Sequence, residues 1–301
     1  MGSGFNYKEI LNDISRHDKS LRKLTSDESE ALKKELYEMA VDLDERCRKN
    51  GLHLFLAGGS VLGAVRHGGF IPWDDDMDFG MKRNEYDQLK RIFEKEFGDL
   101  YELRCPRSAH ANGNRFMQIY KKGTVLKTIE SNPLQPDSLC IDVFPYDYVP
   151  ENVVSQKIKG IVANGTMFIA SCVMDRIYGS KELKKYMCKS PEGKRLFYIR
   201  NSVGTIFSFR TPEQWFNAVD HLIVYPKKTG LVTSATGRKH YFGEIYPKDV
   251  FFPLKQIRFR DHLFYAPGKY QVYLKGLYGE DYMVIPDQSK RESHFIRELK
   301  L

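Results

Sequence analysis

Apolar residues change their spacing several times along the chain, and each change marks an element. Within residues 25–47, Leu32, Leu36, Met39, Ala40 and Leu43 recur at helical spacing. Thr25 precedes this stripe and Glu28 follows three positions later, the pairing of a capping box. The pattern predicts a helix packed on the core, ended by Asn50-Gly51. Residues 52–57 form an apolar run that predicts a short buried strand. Gly58-Gly59 then permits a tight turn, and Ser60 is placed to cap a helix over residues 61–67. Gly68-Gly69 stops that helix, and Pro72 biases Ile71 toward an extended conformation. If residues 74–80 run as a strand, Asp74, Asp76 and Asp78 share one face and Asp75 points away.

The later pattern predicts a helix over residues 84–97 with Tyr86, Leu89, Ile92, Phe93 and Phe97 on one side. Strands are expected at 101–105 and 116–120, with Lys121-Lys122-Gly123-Thr124 as a hairpin turn, and at 139–144, where Pro145 helps end the strand. Residues 155–178 and 181–209 read as mainly helical, with a break at Pro191-Glu192-Gly193. Thr211-Pro212-Glu213 starts a further helix. Residues 255–260 and 262–266 form a short hairpin, 268–277 a helix ending near Gly279, and a final helix is expected from Ser289. Strand, helix, strand, helix and then several strands imply an α/β (α+β) arrangement around a central mixed sheet. No internal repeat or linker divides the chain. A single catalytic unit over 1–301 is expected, with a core at about 52–147 and a mainly helical insertion at about 153–220.

Composition narrows the picture. At 301 residues and 42% hydrophobic, the chain can bury a substantial core. No run approaches the roughly 18 uninterrupted apolar residues of a membrane span. Residues 1–5 lack the basic and apolar regions of a secretion signal, so a cytoplasmic address is expected, with peripheral attachment at the inner face of the cell membrane. Five widely spaced cysteines suggest neither a disulfide framework nor a zinc knuckle. The formal charge of +8 suits an anionic substrate or surface. Without a zinc finger, KH loop or RNA-binding aromatic motif, no nucleic-acid partner is expected.

The candidate chemistry lies in four acids within five positions, Asp74, Asp75, Asp76 and Asp78. Like charges on one face repel unless a cation sits among them, and oxygen donors suit a hard divalent ion. Met77, Phe79 and Trp73 interleave the acids and favour burial over a merely solvated turn. Asp142, flanked by Ile141 and Val143, is an acid in a buried run and requires a partner or a metal. It is the candidate third carboxylate beside Asp76 and Asp78, with Asp74 as a further ligand. Gly58, Gly59 and Ser60 suit a phosphate at a helix start. Arg66 and His67 face that phosphate or the acceptor, or Arg66 pairs with one of the acids. Arg115 and Lys121 are phosphate contacts or solvated basic residues. Trp73 either offers its face to a quaternary ammonium or wedges the turn into the core.

The string from Leu56-Ala57-Gly58-Gly59-Ser60 through His67-Gly68-Gly69-Phe70-Ile71-Pro72-Trp73-Asp74-Asp75-Asp76-Met77-Asp78 resembles the LicD family within the nucleotidyltransferase superfamily. That family includes phosphocholine transferases and is related to fukutin-type ribitol-phosphate transferases. Ile141-Asp142-Val143-Phe144-Pro145 agrees, as does the block from Tyr278-Gly279-Glu280-Asp281-Tyr282-Met283 to Lys290-Arg291-Glu292-Ser293-His294. The resemblance runs from about residue 25 to 297. The terminal block departs from the commoner form by one added residue, at Glu280-Asp281.

The resemblance implies a nucleotidyltransferase-like sheet with flanking helices and an enzyme using Mg²⁺ or Mn²⁺. Its implied reaction moves phosphocholine from CDP-choline to a sugar hydroxyl of a cell-surface glycan, of teichoic acid or lipopolysaccharide type, and releases CMP. The acceptor is lipid-linked in some settings. CDP-ribitol or CDP-glycerol stays open as donor. So do nucleotidyl transfer and non-catalytic binding of glycan or polyphosphate. Arg291 and His294 enter as choline or acceptor contacts through the resemblance alone.

Overall fold

Helix α1 (Ser26–Lys49) begins at the expected capping box. The Thr25 hydroxyl accepts from the Glu28 N–H, and the Glu28 carboxylate accepts from the Thr25 N–H. Its Leu32, Leu36, Met39, Ala40 and Leu43 join the main core cluster. The computed structural model describes residues 21–108, 113–128, 133–179, 184–185, 187–287, 291 and 295–301.

After α1 come β1 (Phe55–Leu56), α2 (Gly58–His67), β2 (Asp78–Lys82), α3 (Arg83–Phe97), β3 (Tyr101–Arg104), β4 (Met117–Lys121), β5 (Val125–Thr128) and β6 (Cys140–Tyr148). Three longer helices follow, α4 (Val153–Tyr178), α5 (Pro191–Phe207) and α6 (Pro212–Ile223). The chain then returns through β7 (Leu231–Thr233), α7 (His240–Gly243), β8 (Ile245–Pro247), α8 (Lys248–Phe251), β9 (Lys255–Phe259), β10 (His262–Ala266), α9 (Tyr270–Tyr278) and β11 (Ile296–Lys300).

The fold is mixed α/β around one large sheet, ordered β3-β4-β6-β2-β1-β10-β9, with β7 on β6 and β8 on β7. The β2–β6 and β1–β10 pairs are parallel, and the other pairs in that sheet are antiparallel. Phe55, Phe79, Ile141, Val143 and Phe264 bring the central strands into one core. The β1–β2–β6 crossing is tight at Gly80, where a Cβ would sit 2.5 Å from the Phe55 ring and 2.6 Å from the Tyr146 ring.

Helices α4 and α6 share a second apolar cluster, including Ala163, Met167, Val219 and Ile223, with Val149, Ala235 and Tyr241. A buried ion-pair network fastens α6 to the sheet. Arg83 donates to both carboxylate oxygens of Asp147 on β6, at 2.8 and 2.7 Å, and to Asp220 on α6 at 2.8 Å.

Five local expectations change. Helix α2 starts at Gly58, and Ala57 is its N-cap without a side-chain bond, so Ser60 lies inside the first turn and does not cap it. Residues 74–77 are not a strand. Pro72 and a turn from the Asp74 N–H to the Ile71 carbonyl delay pairing until Asp78, so strand alternation does not set the faces of Asp74 and Asp76. The Lys122-Gly123 turn joins β4 to β5 without making a hairpin, because β4 pairs with β3 and β6 while β5 pairs with β11. Strand β6 runs through Pro145. Its pairing with β4 covers 140–143 and its pairing with β7 covers 147–148, so the proline falls where β2 is the sole neighbour in register. At the end of the chain, residues 288–290 and 292–294 lie outside the described residues, and 296–300 is strand, where a helix was expected.

Candidate active site

The start of α2, the start of β2 and the first residues of β6 meet at one end of the sheet. Asp78 opens β2 directly opposite Asp142 of β6, and Gln118 of β4 lies opposite Asp142 on the other side. The backbone fixes this meeting point. The Ala57 N–H donates to the Asp78 carbonyl at 2.9 Å, and the Asp142 N–H donates to the Met77 carbonyl at 3.3 Å. The Asp78 N–H donates to Ser60 Oγ at 2.8 Å, and the Gly58 N–H donates to the Tyr273 hydroxyl at 2.9 Å. Ser60 is therefore a buried tie between α2 and β2.

Gly58 shows why a side chain is absent there. Its φ is +48°, and a Cβ would stand 2.8 Å from Asp78 Oδ2. The carboxylate thus lies against the first turn of the helix. A Cβ on Gly59 would lie 3.2 Å from Asp74 Oδ2. The dipole and N–H groups of this turn draw anionic groups toward it.

A cleft of about 120 Å³ opens over this junction. Its walls include Gly58, Gly59, Asp74, Asp76, Asp78 and Glu244, with Arg238 and Tyr278. Burial and the surrounding charges of Asp76, Asp142, Asp74 and Glu244 hold the Asp78 carboxyl well above the usual range. Burial pushes Asp142 up to about 7, with Asp76 adding to the rise, while the Gln118 amide, 3.0 Å from Oδ1, and Arg115 oppose it. Glu244 is also pushed up to about 7, chiefly by burial, although its Oε1 accepts from the Lys239 N–H at 2.9 Å. Arg115 faces this group. Burial lowers its pKa, while Glu244 and Asp142 favour its charge.

Asp74, Asp76, Asp78 and Glu244 line one cleft with Asp142 beside Asp78, a gathering of negative charge whose oxygens are the donors a hard divalent cation takes. Among the described residues, no three His, Cys, Asp or Glu side chains are gathered as a ready metal cage. Mg²⁺ commonly takes only one or two carboxylates together with substrate phosphates, so Asp76 and Asp78 fit that requirement, with Asp142 and Asp74 beside them.

A second cleft of about 270 Å³ adjoins the first, with Gly59, Asp74, Arg238 and Tyr278 in both walls. Arg66 and Trp73 line it. Arg66 donates to the carbonyls of Tyr282 and Val284 at 2.9 and 3.2 Å, and to His67 Nε2 at 3.0 Å, so it binds the segment after α9 to α2. Burial and the Arg66 charge lower the His67 pKa. The Trp73 ring carries the Arg291 guanidinium 4.4 Å from its centroid, and Arg66 lies 5.8 Å from it. Its cation–π partners are thus arginines of this chain. Lys121 pairs with Glu35 of α1 and lines neither cleft. His294 lies outside the described residues.

The structure adds residues that sequence reasoning assigned no role: Arg238, Glu244, Tyr273, Tyr278 and Gln118. Glu244 carried a usable signal. Like Asp142, it is an acid within an apolar and aromatic run, between Tyr241-Phe242-Gly243 and Ile245-Tyr246. Arg238 follows Gly237 in a loop whose return to the carboxylates depends on β7 and β8, and no local pattern states that.

Residues 51–164 match the LicD/FKTN/FKRP nucleotidyltransferase domain. The chain is 27% identical over 260 residues to the lipopolysaccharide cholinephosphotransferase LicD of Haemophilus influenzae, covering 84% of this chain and 90% of that protein. It is 39% identical over 54 residues to the ribitol 5-phosphate transferase FKRP of Homo sapiens, a segment that is 18% of this chain and 11% of FKRP.

Proposed function

Because the chain carries a LicD-type nucleotidyltransferase domain, we propose that it transfers phosphocholine from CDP-choline to a sugar hydroxyl of a cell-surface glycan, of lipopolysaccharide or teichoic acid type, and releases CMP. The observation that carries this reading is the pairing of Asp78 with Asp142 beneath the first turn of α2. Asp74, Asp76 and Asp78 line one cleft with the helix start, as a diphosphate donor requires.

The acceptor oxygen attacks the phosphorus that bears choline. The bond from that phosphorus to the bridging oxygen breaks, and CMP leaves with the electron pair. The acceptor proton passes to a carboxylate, and Asp142 or Glu244, each pushed up to about 7, suits that transfer near neutral pH. The first turn of α2 attracts the diphosphate, and Arg238 supplies positive charge at the rim shared by the two clefts. Mg²⁺ or Mn²⁺ on Asp76 and Asp78, with Asp142 or Asp74 as a further ligand, supplies neutralisation of the phosphate oxygens when bound.

A polyol-phosphate donor, CDP-ribitol or CDP-glycerol, is the second reading. It is favoured by the Trp73 ring, whose partners are Arg291 and Arg66, so choline finds no cage there. Choline ranks first because the cholinephosphotransferase relative spans most of this chain.

Product analysis tests the reaction class. Purified protein is incubated with Mg²⁺, CDP-choline and a phosphate-rich surface glycan. Free CMP and a glycan heavier by phosphocholine are expected. Pyrophosphate release from a nucleoside triphosphate, with nucleotide on the product, makes the protein a nucleotidyltransferase. Donor binding without product from any CDP-alcohol makes it a binding protein.

A further inference from the structure

Helix α4 has two apolar sides. One side, including Ala163, Met167, Ala170 and Val173, is buried, and α4 packs on α5 and α6. The other side is uncovered: Val154, Ile158, Ile161, Val162 and Phe168 are 42–65% exposed. Val154, Ile158, Ile161 and Phe168 follow one another at steps of four, three and seven, so they form one stripe. Gly165, at the same angular position, has open space above it. Helix α5 repeats the feature with Tyr198, Ile199 and Ile206, and Phe209 follows just after it; these are 46–70% exposed. The Arg200 guanidinium lies 5.6 Å from the Phe168 ring, so the second helix meets the end of the first stripe. Single exposed apolar residues are ordinary, but ordered stripes on adjoining helices mark an interaction surface.

Charge selects the occupant. Residues 153–210 contain eleven Lys and Arg against three Asp and Glu, a net +8, which equals the formal net charge of the whole chain. The rest of the chain is therefore balanced. Two copies meeting through this segment would bring like charge together at close range. A polyanion in water would satisfy the lysines and leave the isoleucines wet. An anionic bilayer surface satisfies both, because apolar side chains enter the headgroup boundary while Lys and Arg meet the phosphates. No helix among the described residues is long and apolar enough to cross a membrane, so α4 suits lying on one.

We propose that the exposed faces of α4 and α5 form a docking surface for an anionic lipid bilayer. Ile158 and Ile161 enter the headgroup boundary, and Lys157, Lys194 and Arg195 contact lipid phosphates. The surface is independent of the donor and acceptor chemistry, so its failure and failure of the transferase reading are separate outcomes.

Co-sedimentation of the full chain with vesicles tests this surface. Vesicles containing phosphatidylglycerol should bind the protein at low salt and release it as salt rises, and pure phosphatidylcholine vesicles should bind it far less. Ile158→Glu with Ile161→Glu should abolish binding without changing thermal unfolding, since both side chains are exposed. Replacing Lys157, Lys194 and Arg195 by Gln should weaken binding by about fivefold for each charge removed. Three results overturn the proposal. One is no binding to the anionic vesicles at low salt, and another is binding untouched by both sets of substitutions. The third is a lipid-free dimer in sedimentation velocity that the Ile158→Glu and Ile161→Glu pair dissociates, which makes this face a contact between copies.

Discussion

Asp78 and Asp142 stand directly opposite each other on the parallel strands β2 and β6, one ladder position from the turn that begins α2. Two acids in such register, with Asp76, Asp74 and Glu244 raising the Asp78 pKa further, disfavour the metal-free ionised state. The pairing sets a cost that the proposed cation would remove. Asp76→Asn and Asp78→Asn should each lower turnover by about 100-fold or more, the scale of a lost electrostatic contact in the transition state. Circular dichroism should show the fold retained. Near wild-type CMP release by both variants would remove these residues from the site.

The same carboxyls make stability depend on pH. Asp142 and Glu244 have folded pKa values raised to about 7, so between about pH 4 and 7 the folded chain holds protons that the unfolded chain has lost. Their contribution to stability is full below the unfolded pKa and is lost as pH rises through about 7. Thermal unfolding in chelator should therefore occur at a lower Tm at about pH 8 than at about pH 5. Asp142→Asn should reduce that difference, and Mg²⁺ should raise the wild-type Tm at the higher pH. A Tm that climbs with pH in chelator, or one indifferent to Mg²⁺, contradicts the electrostatic account.

Gly58 is constrained twice, by its φ of +48° and by Asp78 Oδ2 at 2.8 Å from a Cβ placed there. Gly58→Ala should cost about 1–3 kcal/mol from the backbone alone. It should also displace the carboxylate and lower turnover by at least about tenfold, since small misplacements of reacting groups are expensive. Denaturant unfolding and steady-state rates on the folded fraction separate the two effects. Unchanged turnover per folded molecule would mean that the Asp78 position does not matter to the reaction.

Arg83 has a different task. It joins Asp147 of the sheet to Asp220 of α6, away from the carboxylate cleft. Arg83→Met leaves buried Asp147 without its cation and Asp220 with Arg107 alone, at 3.4 Å, and should cost about 3–5 kcal/mol. Activity per folded molecule should stay close to wild type. A loss below about 1 kcal/mol in chemical denaturation would show that the network is not a structural tie.

Much of this was legible locally. The Thr25–Glu28 box stands where local rules put it, and Gly58, Gly59, Asp74, Asp76 and Asp78, which local rules marked as candidates, line one cleft, although the helix begins at Gly58 and the strand only at Asp78. Two local expectations failed, the Ser60 cap and the strand over 74–77, and the others that failed depended on pairing between distant segments. Pro145 was expected to end a strand because a proline interrupts ladders, but the opposite ladder had already stopped at Val143. Lys121 was read as a phosphate contact or a solvated base, and its partner is Glu35 from a helix far upstream. Glu244 and Arg238 reach the cleft only because the chain returns through β7 and β8 after three helices. Trp73 was read, from its place beside the acids, either as a face for a quaternary ammonium or as a wedge into the core; it packs against the core cluster, and only the return of the chain end shows Arg291 over its ring.

The donor assay tests the central claim most directly. Wild-type protein and Asp78→Asn are offered CDP-choline, CDP-ribitol and CDP-glycerol in parallel, with Mg²⁺ and a phosphate-rich surface glycan. CMP and the mass added to the glycan are measured together. The account predicts that wild type releases CMP from CDP-choline and adds one phosphocholine per CMP, and that Asp78→Asn does neither at a comparable rate. Addition of a polyol phosphate with CDP-choline inert would contradict the donor assignment. Equal phosphocholine transfer by Asp78→Asn would contradict the site itself.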